Sequence, residues 1–82
     1  MAEVKVKLFA ILQDRFGSDS ITVDVGPGLT AAELLDRVRE EYPDHARQLA
    51  VCRVAVNRRF AVGMEKVGPD DEVALIPPVS GG

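Results

Sequence analysis

Little in this chain of 82 residues is suited to chemistry by side chains. It holds one cysteine, Cys52, and one histidine, His45. A lone cysteine forms no internal disulfide, and the pair falls short of the roughly four ligands of a structural zinc site. Tryptophan is absent, and aromatic residues make up 5% of the chain. Positive charge is in deficit: ten basic residues against thirteen acidic ones leave a net charge of -3. That balance is poorly suited to gripping phosphate backbones by counterion release, so no nucleic-acid partner is expected. No apolar run approaches the ~20 residues of a membrane span. Met1-Ala2-Glu3 opens no basic region followed by an apolar stretch, so no secretory leader is expected. These absences point to a reducing, cytoplasmic setting without membrane contact, bound metal or conventional side-chain catalysis.

What is present reads as one small folded unit. The composition, 46% hydrophobic and 28% charged, excludes a disordered tail or a fibre. A domain of this size buries about 60% of its unfolded surface, so the core is small. Val4-Lys5-Val6-Lys7-Leu8 alternates apolar and polar, the period of a half-buried strand. Leu12 and Phe16 then stand four apart, with Gly17 where a helical turn would end. Ser20 to Val25 resumes the alternation, and Gly26-Pro27-Gly28 breaks it.

Thr30-Ala31-Ala32-Glu33 has the form of a capping box, flanked by Leu29 and Leu34 at the staple positions. Leu34, Leu35, Val38 and Tyr42 follow on one side of a helix, with Glu33 and Arg37 as an outer i,i+4 pair. Pro43 ends the run. Residues 44–51 read as a loose turn holding Leu49 inward, with His45 solvated. Arg53-Val54-Ala55-Val56 and Phe60-Ala61-Val62 read as a hairpin around Asn57-Arg58-Arg59, and Glu72 to Ile76 as a last strand after the Gly68-Pro69-Asp70-Asp71 turn. Strand, strand, helix and then two or three strands give an α+β domain over 1–76. A mixed sheet of four or five strands carries one main helix across one face. Residues 77–82 form a flexible tail ending in Gly81-Gly82.

The ending Asp71-Glu72-Val73-Ala74-Leu75-Ile76-Pro77-Pro78-Val79-Ser80-Gly81-Gly82 resembles that of the ubiquitin-like β-grasp sulfur carriers, related to the thiamin-type carriers. Within them it is most similar to the MoaD type, the small subunits of molybdopterin synthases. The opening Lys5-Val6-Lys7-Leu8-Phe9-Ala10 and the hairpin segment Val54-Ala55-Val56-Asn57 support the likeness. The resemblance implies that the Gly82 carboxylate is adenylated by a MoeB-like E1 partner that consumes ATP, then converted to a thiocarboxylate. It implies insertion of Pro77, Pro78, Val79, Ser80 and Gly81 into a MoaE-like large subunit within a heterotetramer. There the thiocarboxylate donates sulfur to cyclic pyranopterin monophosphate in molybdenum cofactor biosynthesis. No cofactor is expected on the chain itself.

The activation that the resemblance implies sets physical demands on the tail. A terminal carboxylate is an anion at neutral pH and a poor electrophile, so it needs a leaving group. Glycines without Cβ give the slimmest cross-section, and six extended residues reach about 20 Å. Ordering them costs about 1–2 kcal/mol each, which docking of the body must offset. Strand parity places Phe9 on the outer face with Lys5 and Lys7, and Ile76 there with Ala74; Phe60 is a third candidate. Burying three such side chains is worth roughly 5–9 kcal/mol.

Simpler readings stand beside these. A bare Gly-Gly would be a frayed terminus, and the preceding Pro-Pro-Val-Ser is what argues for function. Cys52 reads as a small buried hydrophobe in preference to a sulfur relay. Arg58-Arg59 reads as a solubilising hairpin tip, with contact to acidic partner residues as the sharper alternative. Asp70-Asp71-Glu72 reads as a turn in preference to a cation site. Among whole functions, a modifier joined through Gly82 to lysines, a carrier for thiamin or cysteine synthesis, and an inert binding module are the alternatives.

Overall fold

The computed structural model describes residues 2–9 and 11–78. Seven strands and three short or medium helices follow in order. They are β1 (Glu3–Leu8), α1 (Ile11–Phe16), β2 (Ser20–Asp24), β3 (Leu29–Thr30), α2 (Ala31–Glu41), a 3-10 turn at Pro43–His45, α3 (Ala46–Ala50), β4 (Arg53–Val56), β5 (Arg59–Phe60), β6 (Lys66–Val67) and β7 (Val73–Ile76). Five strands make one mixed sheet in the order β2-β1-β7-β4-β5, and β3 pairs with β6 apart from it. The first and last strands run parallel, with Val6 opposite Val73 and Leu8 opposite Leu75. The other pairs in the sheet are antiparallel. The last strand is therefore central, and the chain leaves the sheet from its middle.

The alternation read from the sequence decides which face is the core. Val4, Val6 and Leu8 of β1 and Val73 and Leu75 of β7 are buried, and their neighbours point the other way. Helix α2 covers this apolar face with Ala31, Leu34 and Val38, all buried. A fully buried leucine contributes about 1.5–3 kcal/mol relative to exposure, so these contacts hold helix to sheet. Leu35 and Tyr42 sit at the margin, half-buried. The helix begins as the capping box requires. Glu33 N–H donates to Thr30 Oγ1 at 3.1 Å, and Thr30 N–H donates to Glu33 Oε1 at 2.9 Å. At the end of α1, Gly17 takes φ +69° and its N–H donates to the Gln13 carbonyl at 2.9 Å, the left-handed stop that glycine permits.

Several expectations change. The hairpin turns on two residues, Asn57 (φ 53°) and Arg58 (φ 71°), and its second strand is Arg59–Phe60. Two successive left-handed residues match the strand twist and leave no room for a third turn residue. Residues 44–51 are ordered as a 3-10 turn and α3, because Leu49 has a fully buried site to fill. His45 is half-buried and stacks on Phe16, with ring centroids 4.7 Å apart; it is not a solvated loop residue. Glu33 and Arg37 form no ion pair among the described residues. Glu33 is engaged by Thr30, and Arg37 donates instead to the Asp24 carbonyl at 3.3 Å. Leu29 is half-buried and pairs with Val67 in the small sheet.

Replacing Leu34 with alanine is expected to lower the unfolding free energy by about 2–5 kcal/mol, and Thr30→Ala by about 1 kcal/mol. Urea denaturation followed by circular dichroism measures both. A wild-type midpoint for Leu34→Ala would contradict this packing of α2.

Candidate functional site

The outer face of the sheet, away from α2, carries the candidate site. Across its middle, strand register places Lys7 beside Ala74, Ala74 beside Ala55, and Ala55 beside Phe60. The two alanines are half-buried and make a low floor between larger neighbours. The result is an open depression of about 270 Å³ lined by Lys7, Phe9, Ala55, Arg58, Arg59, Phe60, Glu72, Ala74 and Ile76. Phe9 and Ile76, expected here from strand parity, meet the third candidate, Phe60. Because Phe60 pairs with Ala55, its parity is settled: it faces outward and is 50% exposed. Phe9 is 43% exposed, while Ile76 is half-buried. Since each has already lost part of its exposure, docking would recover about half of the full transfer energy, roughly 2–5 kcal/mol for the three.

One rim residue was not foreseen. The Arg53 guanidinium lies over the Phe60 ring, 3.9 Å from its centroid, and Arg53 stands opposite Ile76 in the register. The signal was available, since residues diagonal to each other across a hairpin share a face. It was hidden by the misplaced turn. The charged side of the depression is knitted together. Glu72 meets Lys7 at 3.6 Å and Arg58 at 3.6 Å. Arg59 grips Glu65 with two hydrogen bonds, of 2.7 Å and 2.5 Å, and that carboxylate holds the guanidinium pKa above its usual value. Exposed pairs of this kind contribute about 0–1 kcal/mol each, so they orient side chains more than they stabilise the fold. Arg58 and Arg59 at the hairpin tip thus each meet a carboxylate of this chain.

Asp71 braces the hairpin turn from behind. It accepts from Gly68 N–H at 2.8 Å and from Asn57 Nδ2 at 3.2 Å, and both bonds hold its carboxyl below the ordinary carboxylate range. Asn57 in turn accepts Glu72 N–H at 3.0 Å, which tethers the left-handed turn to the start of β7. Asp70 lies in the turn, Asp71 in the bend after it, and Glu72, expected as the first residue of the last strand, stands just before β7. Among the described residues, no group of three or more acidic, histidine or cysteine side chains is placed to hold a metal.

Cys52 is buried, its thiol donates to the Gln48 carbonyl at 3.1 Å, and burial pushes its pKa up. That is the opposite of the activation a sulfur relay needs. Val62 and Met64, at 70% and 85% exposure, were not singled out by the sequence and lie outside the depression. Pro77 is half-buried and Pro78 exposed immediately after β7; Val79, Ser80, Gly81 and Gly82 lie outside the described residues.

A mixed sheet with parallel first and last strands at its centre, crossed on one face by a single main helix, defines the ubiquitin-like β-grasp class. The chain belongs to the ThiS family, which it matches over residues 6–82. It is 35% identical over 83 residues to the molybdopterin synthase sulfur carrier subunit of Dictyostelium discoideum, covering 98% of this chain and 96% of that protein. It is 34% identical over 84 residues to small archaeal modifier protein 1 of Haloferax volcanii, covering 93% of this chain and 97% of that protein. A crystal structure of that modifier superposes with a TM-score of 0.79 at 33% identity, covering 99% of this chain and all of the other. The β-grasp carrier family expected from the ending is the family found.

Because the folded-state pKa of Asp71 is depressed, its stabilising contribution is complete above the unfolded-state value of about 4 and is lost as pH falls through the lower folded value. Asp71→Asn is therefore expected to be less stable than wild type at neutral pH and to lose less further stability on acidification. Urea midpoints collected between about pH 6 and about pH 2 test this. Equal losses in the two proteins would contradict the role assigned to Asp71.

Proposed function

We propose that the chain is a sulfur carrier and the small subunit of a molybdopterin synthase. The observation that carries the reading is the junction of body and tail. The central strand β7 borders an exposed apolar face and is followed in the sequence by Pro77-Pro78 and Val79-Ser80-Gly81-Gly82. The family match that extends to residue 82 and the name of the Dictyostelium relative support it. In this reading the Gly82 carboxylate attacks the α-phosphate of ATP on a MoeB-like activating enzyme, releasing pyrophosphate. Sulfur at the oxidation level of hydrosulfide then attacks the acyl carbon and displaces AMP, which leaves a thiocarboxylate. The tail, Pro77 to Gly81, enters a MoaE-like large subunit in a heterotetramer, where the thiocarboxylate gives its sulfur to cyclic pyranopterin monophosphate. Phe9, Phe60 and Ile76 anchor the body. The two prolines limit the entropy lost on insertion because their φ is already restricted.

A second reading is favoured by one observation, the similarity to an archaeal modifier. Conjugation of Gly82 to a lysine would use the same acyl-adenylate. The two readings part at the product.

Isolated from cells that contain the activating system, the chain is expected to show intact masses heavier by the exchange of one oxygen for one sulfur at its C-terminus. Mass spectrometry reads this directly. Unchanged mass with isopeptide-linked adducts would overturn the carrier reading in favour of the modifier. Phe60→Ala is expected to fold normally and to bind the large subunit at least about tenfold more weakly, since half-exposed aromatic anchors act at interfaces more than in the core. Calorimetric titration measures the loss, and wild-type affinity would remove Phe60 from the interface.

A further inference from the structure

We propose that the outer-face depression selects a docking ridge that is apolar at its crest and acidic at its flanks, with Arg53 and Arg58 as the specificity-determining residues. The inference rests on the carrier reading and adds the chemistry of the surface that the large subunit must present. Of the chain's ten basic and thirteen acidic residues, four cations (Lys7, Arg53, Arg58, Arg59) and two carboxylates (Glu65, Glu72) stand at this depression. The remainder of the chain carries six cations against eleven carboxylates. The candidate docking face is thus positive on a negative protein.

Its cations are not equally committed. Arg59 is occupied by Glu65 through two hydrogen bonds. Glu72 serves both Lys7 and Arg58, each at 3.6 Å, so one carboxylate faces two cations. The Arg58 side chain is 86% exposed. Arg53 has no carboxylate within 4 Å among the described residues and is held over the Phe60 ring instead. Burial of Phe60 under a partner would take the Arg53 guanidinium out of water along with the ring. A charge removed from water needs a counter-charge, which an uncharged ridge does not offer and a basic ridge opposes. A carboxylate facing Arg53 and another facing Arg58 would complete both ends of the depression. They would also accelerate encounter by steering a negative surface toward this positive face.

The test is stopped-flow association of the full chain with the large synthase subunit encoded in the same genome. The association rate constant is expected to fall about tenfold or more between about 0.05 M and about 0.5 M NaCl. Arg53→Glu and Arg58→Glu are each expected to lower it by about tenfold, and Arg53→Lys to retain most of the wild-type rate. Glu40→Lys, on the exposed side of α2, is expected to change it less than about twofold. Thermal melts confirm that each variant is folded. Association that ignores salt, or that responds to salt but to neither arginine reversal, overturns the proposal and leaves the carrier reading standing. Absence of any association at low salt overturns both.

Discussion

The parallel pairing of β1 with β7 is the constraint on which the rest depends. It places the last strand at the centre of the sheet, with β1 on one side and β4 on the other. A strand gripped on both sides fixes the point and direction from which the following residues depart. It also sets the outer face, because the same register aligns Lys7, Ala74, Ala55 and Phe60 into one row. Had β7 been an edge strand, the tail root and the apolar floor would have been separated. The prolines suit this position, since they end the ladder without leaving a donor unpaired.

The division of labour in the molecule follows from that geometry. One face of the sheet is spent on stability, covered by α2 and filled with valine and leucine. The other remains open, with half-exposed Phe9 and Phe60 over an alanine floor. The one thiol of the body is buried, hydrogen-bonded and pushed away from ionisation. A body that holds and orients, with the chemistry assigned to a slim terminus, is consistent with the low histidine and cysteine content.

Most of this was legible in the sequence where local signals were strong. The alternation of Val4-Lys5-Val6-Lys7-Leu8 gave both the strand and its faces. Thr30 and Glu33 gave the start of α2 because a capping box satisfies backbone donors locally. Legibility failed where tertiary contacts decide. Leu49 orders α3 only because the core has a vacancy for it, and His45 is drawn onto Phe16 by packing that no local pattern reveals. The turn at Asn57-Arg58 was misread because an arginine at positive φ is uncommon; the Asn57 side chain, which donates to Asp71 and accepts from Glu72 N–H, sustains it here. The role of Arg53 fell with that misreading.

The central claim is that the bond-making group is the C-terminal carboxyl of Gly82 and that the folded body only docks. The most direct test is to append one alanine after Gly82 and measure sulfur transfer to the pyranopterin in the assembled synthase. The account predicts that this chain folds and binds the large subunit as before but transfers no sulfur. Transfer at the wild-type rate would contradict it.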